Sequence, residues 1–225
     1  MKRIVCWMLL CCVLLGGCGN QVDAEEEAFA SAIEALDSGV SFMKVDYAKF
    51  YELEDLLSVA QSNLVIRCKI TGRDESTVVD PFGRYKVDDL GQLKYAQMYI
   101  VTPYTLEVQE VYYGDLHQAD DTLTYNAPYG IIGEHTYRGG MHPVLRVGKE
   151  YIMFLTVSEI AGNMVYCCSF NPEFIVEVTG KNSYKTISAV DWIFGKYEGN
   201  IDKLVDALNV VVEAGGYTPV IEKYE

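Results

Sequence analysis

The sequence predicts a mainly β (α+β) fold: a small closed barrel or sandwich of antiparallel strands, flanked by short N-terminal helices and a C-terminal amphipathic helix. Three observations predict it. Several short apolar stretches alternate with period two. Turn residues separate them at close spacing, as at Gly114-Asp115, Gly162-Asn163 and Asn171-Pro172. Helical periodicity is confined to the two ends of the chain.

The elements follow in order. Over 24–36, Glu25, Glu26 and Glu27 favour a helix N-terminus, and Phe29, Ile33 and Leu36 share one face. Gly39 is a plausible stop. A second short helix spans 52–61, with Leu53, Leu56, Leu57 and Ala60 on one stripe. From Leu64 to Ile70 the even positions are apolar, while Arg67 and Lys69 point the other way, the pattern of a half-buried strand. Residues 72–92 read as a polar loop. A long strand covers 97–113, with Pro103 marking an edge or a bend. Short strands follow at 122–125, 150–156, 164–170, 174–178 and 184–189. Asn200 caps the last helix, whose stripe is Ile201, Leu204, Val205, Leu208, Val211 and Val212, and Gly215-Gly216 end it. The domain division is therefore 1–17 leader, 18–61 tether and helices, 62–190 barrel, and 191–225 helix and tail.

Charge removes one class of function. With 18 Lys+Arg against 32 Asp+Glu, the 225-residue chain carries −14. Nucleic-acid binding needs a basic face, so no nucleic-acid partner is expected.

The N-terminus carries an address. Lys2 and Arg3 precede an uncharged apolar run of 12 residues from Ile4 to Leu15. A membrane span needs roughly 18 or more, so the run suits a signal-peptide core. It ends in Leu15-Gly16-Gly17-Cys18, which resembles the bacterial lipobox. That resemblance implies that Cys18 takes a diacylglyceryl group, and that cleavage leaves it as the new N-terminus. The expected location is the extracytoplasmic face of the cell membrane. Anchoring would come from acyl chains, because an acidic surface is repelled by anionic headgroups. Cys68, Cys167 and Cys168 remain after Cys18. Small buried hydrophobes are the expectation for them, with a disulfide from Cys68 to one of the other two as the alternative.

Three stretches together carry a family likeness: LSVAQSNLVI at 57–66, YTLEVQEVYYGD at 104–115, and VGKEYIMFL at 147–155. Their order, a short helix running into a strand, a long strand ending in a Gly-Asp turn, then a strand after Val-Gly-Lys, resembles the OB-like barrel of netrin-like domains and tissue inhibitors of metalloproteinases. It is also similar to uncharacterised lipoproteins of Gram-positive bacteria. The resemblance implies an OB-like closed barrel over roughly residues 52–180. The inhibitors chelate a protease zinc through an N-terminal Cys-x-Cys, whereas here the processed start reads Cys18-Gly19-Asn20. No inhibitory residue carries over.

The most suggestive segment for chemistry is the glycine-rich loop 126–143, NAPYGIIGEHTYRGGMHP. It holds two of the three His. Tyr129, His135, Tyr137, Arg138 and His142 are its candidate ligand-binding residues: aromatics to stack, Arg138 to clamp an anion, glycines to let backbone approach. A metal site from Glu134, His135 and His142 uses acceptable zinc ligand types, but the spacing matches no metal motif, so no metal or cofactor is expected. The 17 Tyr suit strand packing first and a recognition surface second; Tyr99, Tyr112, Tyr113 and Tyr125 would join the loop if it is a site. No Gly-x-Ser-x-Gly, CxxC or Walker-type loop occurs. The reading is a non-enzymatic binding module for a protein, peptide or envelope glycan. A metal-dependent hydrolase on the 126–143 loop and a protease inhibitor by fold analogy are the alternatives.

Overall fold

The computed structural model describes residues 24–35, 52–58, 62–79, 99–116, 122–138, 142–160, 163–167, 174–187, 193–217 and 222–224. The predicted leader, Cys18, Leu36, Gly39, residues 80–98, Cys168 and the predicted Asn171-Pro172 turn lie outside them.

The fold is mainly β, in antiparallel sheets with three α-helices among the described residues. Helix α1 covers 24–34. Ala30 and Ile33 are buried, and Phe29 packs half-buried against the core. Its acidic edge is fastened to the sheet by Arg73, which bonds Glu26 at 2.7 Å and stacks 4.0 Å over the Phe29 ring. Arg146 adds ion pairs to Glu27 and, at 3.0 Å, to Glu34. Helix α2 is Leu53–Ser58, with Leu53, Leu56 and Leu57 buried; residues 59–61 of the predicted 52–61 helix lie outside the described residues.

Strands β1 (Leu64–Arg73) and β3 (Tyr99–Tyr113) form the long antiparallel pair, and β2 (Thr77–Val79) pairs the start of β3. Pro103 sits where β3 changes partner, between the Val101–Thr77 and Tyr104–Arg73 pairs. Its missing N–H falls in that gap, and its carbonyl accepts from the Asp74 amide at 2.9 Å. The predicted bend is thus a handover between strands.

Then come β4 (Thr122–Ala127), β5 (Tyr129–Ile132), β6 (His135–Arg138), β7 (Glu150–Ile160), β8 (Asn163–Cys167), β9 (Ile175–Gly180) and β10 (Ser183–Thr186). Neighbours in the main sheet run β1-β3-β4-β8-β7-β9-β10, and β1 pairs β7 as well. The β4–β8 contact is parallel, through Tyr125 and Tyr166. β5 and β6 form a separate hairpin, which corrects the expectation of a loop throughout 126–143. β11 (Glu222–Tyr224) adds a parallel edge to β7.

Asn63 joins β1 to β7 before the ladder begins. Its side-chain amide donates to the Val157 carbonyl at 2.9 Å and accepts from the Val157 amide at 2.6 Å, as a peptide group would. Gly114, ending β3, is bound to glycine by two constraints. Its φ is 86°, and a Cβ would lie 2.2 Å from the Asn63 carbonyl oxygen.

A 3-10 turn at Phe194–Tyr197 leads to α3 (Ile201–Gly215). Asn200 is the N-cap, accepting from the Lys203 amide at 3.0 Å, and Gly216 closes the helix in a left-handed conformation. Ile201, Leu204 and Leu208 are buried, so the stripe docks on its own domain. No helix among the described residues is long and apolar enough to cross a membrane.

Candidate functional site

The hairpin segment holds a buried polar network. After β6 the chain returns through 142–146 without joining a sheet, so its backbone polar groups need other partners. Tyrosine hydroxyls supply them. The Leu145 amide donates to the Tyr129 hydroxyl at 2.7 Å, which donates to the Tyr104 hydroxyl at 3.3 Å. Tyr104 in turn donates to the Leu145 carbonyl at 3.2 Å, and the Arg146 amide donates to the Tyr151 hydroxyl at 3.0 Å. These rings are buried to within 1 % of full enclosure, too deep to present a stacking face to a ligand. Burial pushes the Tyr104 phenol up to about 12 and Tyr129 well above its ordinary range, so both keep their protons.

His142 is wholly buried beside them. Its Nδ1 faces the Pro143 carbonyl at 3.0 Å, which can only accept, so Nδ1 carries the proton. Nε2 then accepts from the Tyr125 hydroxyl at 2.5 Å. Desolvation lowers the imidazole to about 4; the Pro143 bond opposes this and the nearby Arg138 charge reinforces it. Neutral His142 thus has both nitrogens engaged. A metal at this ring would have to displace Tyr125, and no group of three or more His, Cys, Asp or Glu suited to a metal occurs among the described residues.

The other candidates scatter. Arg138 is half-buried and donates to the His142 carbonyl at 3.0 Å, tying the hairpin to the return segment. Tyr137 is half-buried in β6, Glu134 is exposed at the hairpin turn, and the side chain of His135 lies outside the described set. Of the five predicted binding residues, Tyr129, Arg138 and His142 come together, but in structural bonds. Cys68 is free and buried, with its thiol 3.6 Å from the Met153 sulfur. Burial raises its pKa far beyond the reactive range.

Sequence reasoning missed a cleft elsewhere. Arg67 on β1, residues 148–150 at the start of β7 and residues 178–181 at the end of β9 line an open cleft of about 360 Å³. Arg67 forms one wall. It donates to Glu150 at 2.9 Å and to the Lys181 carbonyl at 3.4 Å, linking β1 to the turn. Burial opposes its charge, but the Glu150 bond and neighbouring carboxylates outweigh it and hold Arg67 above its ordinary value. The same bond keeps Glu150 low against its own burial. Lys149 and Lys181 are exposed at the rim. Lys149 lies 3.8 Å from Glu177, which Lys185 approaches more closely, at 3.1 Å. The available signal was the alternation in β1: its polar face carries Arg67 and Lys69, two cations in an acidic chain.

No protein-family model matches the chain, and no curated protein matches it.

Proposed function

We propose that this protein is a lipid-anchored, extracytoplasmic binding module on a closed OB-like barrel, with no reaction of its own. The partner is a protein, peptide or envelope glycan, met at the cleft rather than at the hairpin. The observation that carries the binding reading is a division of polar groups. The hydroxyls and imidazole around the hairpin are consumed internally, while Lys149 and Lys181 stand exposed around a cavity.

The barrel reading is supported by the pairings β1-β3, β3-β4, β4-β8, β8-β7 and β7-β1, which return to their start. A five-strand ring with one parallel junction is the arrangement an OB-like barrel needs. The anchor reading rests on Lys2, Arg3, the apolar run and Leu15-Gly16-Gly17-Cys18. The hydrolase alternative loses support, because His142, one of its three ligands, already spends both nitrogens. The inhibitor alternative rests on barrel analogy alone.

The test is metabolic labelling with palmitate in a bacterial host, followed by fractionation. The wild-type chain should take label and sediment with membranes. Cys18→Ala should lose the label and the membrane fraction together. Equal labelling of both chains would refute the anchor.

A further inference from the structure

We propose that the domain rides on the membrane with its α1 end nearer the lipid headgroups and its opposite end, at α2 and Gly114, turned outward. This rests on the anchor reading, acylation of Cys18, and adds to it the end of the domain that meets the bilayer.

The two ends are defined by β1. It starts at Leu64, where Gly114 closes on Asn63 and the Ser62 amide donates to the Leu56 carbonyl of α2 at 3.0 Å. It finishes at Arg73, which holds Glu26 of α1 at 2.7 Å. A strand rises about 3.3 Å per residue, and less at a bulge, so the 10 residues of β1 set these ends roughly 25–30 Å apart. Helix α1 is fixed at its own end. Ala30 and Ile33 are buried in the core, Phe29 lies under the Arg73 guanidinium, and Arg146 pairs with Glu27 and Glu34.

The length of the tether then decides the orientation. Six residue steps separate Cys18 from Ala24, the first residue of α1. Fully stretched, six residues span at most about 22 Å, and a flexible chain of that length spans roughly 13 Å on average. To bring the Gly114 end to the bilayer, the start of α1 must stand about 25–30 Å above it. That is beyond the tether, whatever path it takes, so the inverted orientation is excluded and the average span draws the α1 end down. Charge does not oppose this. Anionic headgroups repel an acidic surface, but Glu26, Glu27 and Glu34 are paired with Arg73 and Arg146, so this end arrives partly neutralised. Arg67 lies between the two ends of β1, so the cleft opens on the flank rather than against the bilayer.

The experiment puts a donor dye on the full acylated chain, through azidophenylalanine in place of Ala28 on α1 or of Asp115 after β3, both exposed. Each labelled chain is reconstituted in phosphatidylcholine vesicles that carry an acceptor dye on a trace of their headgroups. Energy transfer from position 28 should exceed that from position 115 roughly twofold or more, given the difference in height. Inserting about 20 Gly and Ser residues after Asn20 lengthens the average span to roughly that of the domain, and should bring the two transfers together. Equal transfer, or more from position 115, in a chain that takes palmitate overturns the orientation and leaves the anchor standing. A difference undiminished by the longer tether overturns the tether as its cause. Absence of palmitate label, with no transfer from either position, overturns the anchor and this orientation with it.

Discussion

His142 shows how a residue's surroundings decide its role. Imidazole in an apolar, glycine-rich stretch reads equally as a ligand or as a packed ring, and only its neighbours separate the two. Here Tyr125 and the Pro143 carbonyl hold it neutral. The folded pKa is about 4 against an ordinary 6.5. Between those values the unfolded chain binds the proton that the folded chain refuses. Stability from this group is therefore full above about pH 6.5 and falls as pH drops toward 4, by up to about 3 kcal/mol. Urea unfolding of wild type and His142→Gln at pH 7 and pH 4.5 checks this. The wild type should lose more stability on acidification, and equal losses would refute the assignment. Tyrosine was the least legible residue type. Its abundance pointed to packing, and seven of the described rings, Tyr104, Tyr125, Tyr129 and Tyr151 among them, are in the core, but the service of their hydroxyls to 142–146 joins positions from Tyr104 to Tyr151. No local pattern records bonds made across such separations.

At the scale of elements, the local signals carried most of β1, β3, β7 and α3, because burial period, capping and turn chemistry are short-range. Asn200 and Gly216 bound α3 as its sequence predicts. The β5–β6 hairpin was hidden by its glycines. Gly130 is a strand residue, and a Cβ there would meet the Ser76 hydroxyl at 2.5 Å and Ile100 at 2.9 Å. It marks close approach of backbone, which sequence cannot distinguish from a loop. Gly114 offers a sharper test. Gly114 and Gly148 have nearly the same φ, 86° and 85°, but a Cβ at Gly148 meets nothing within 4 Å. Ala at either position incurs the left-handed penalty of about 1–2 kcal/mol. Gly114→Ala must also displace the Asn63 carbonyl, so it should be clearly the more destabilising in thermal unfolding. Equal costs would mean that Asn63 moves freely.

For the whole molecule, the decisive junction for the proposed barrel is the parallel contact of Tyr125 with Tyr166, since the β1–β3, β3–β4, β7–β8 and β1–β7 pairings are longer antiparallel ladders. If five strands close on one another, backbone protons of these two residues should show a cross-strand nuclear Overhauser effect, and amides on both should exchange slowly. A rapidly exchanging, contact-free pair would open the sheet there. Such closure depends on which distant strands meet, and the strand pattern left barrel and sandwich equally open. The cleft was illegible for the same reason: Arg67, Lys149 and Lys181 are far apart along the chain.

The clasping of α1 has a consequence for salt. Guanidinium–carboxylate contacts at the surface fade as ionic strength rises, whereas apolar contact does not. Arg73 and Arg146 can be loosened by brine, but Ala30 and Ile33 remain sealed beneath the helix. The first helix thus keeps its apolar seat on the core when its ion pairs are screened, and high salt alone should not release it.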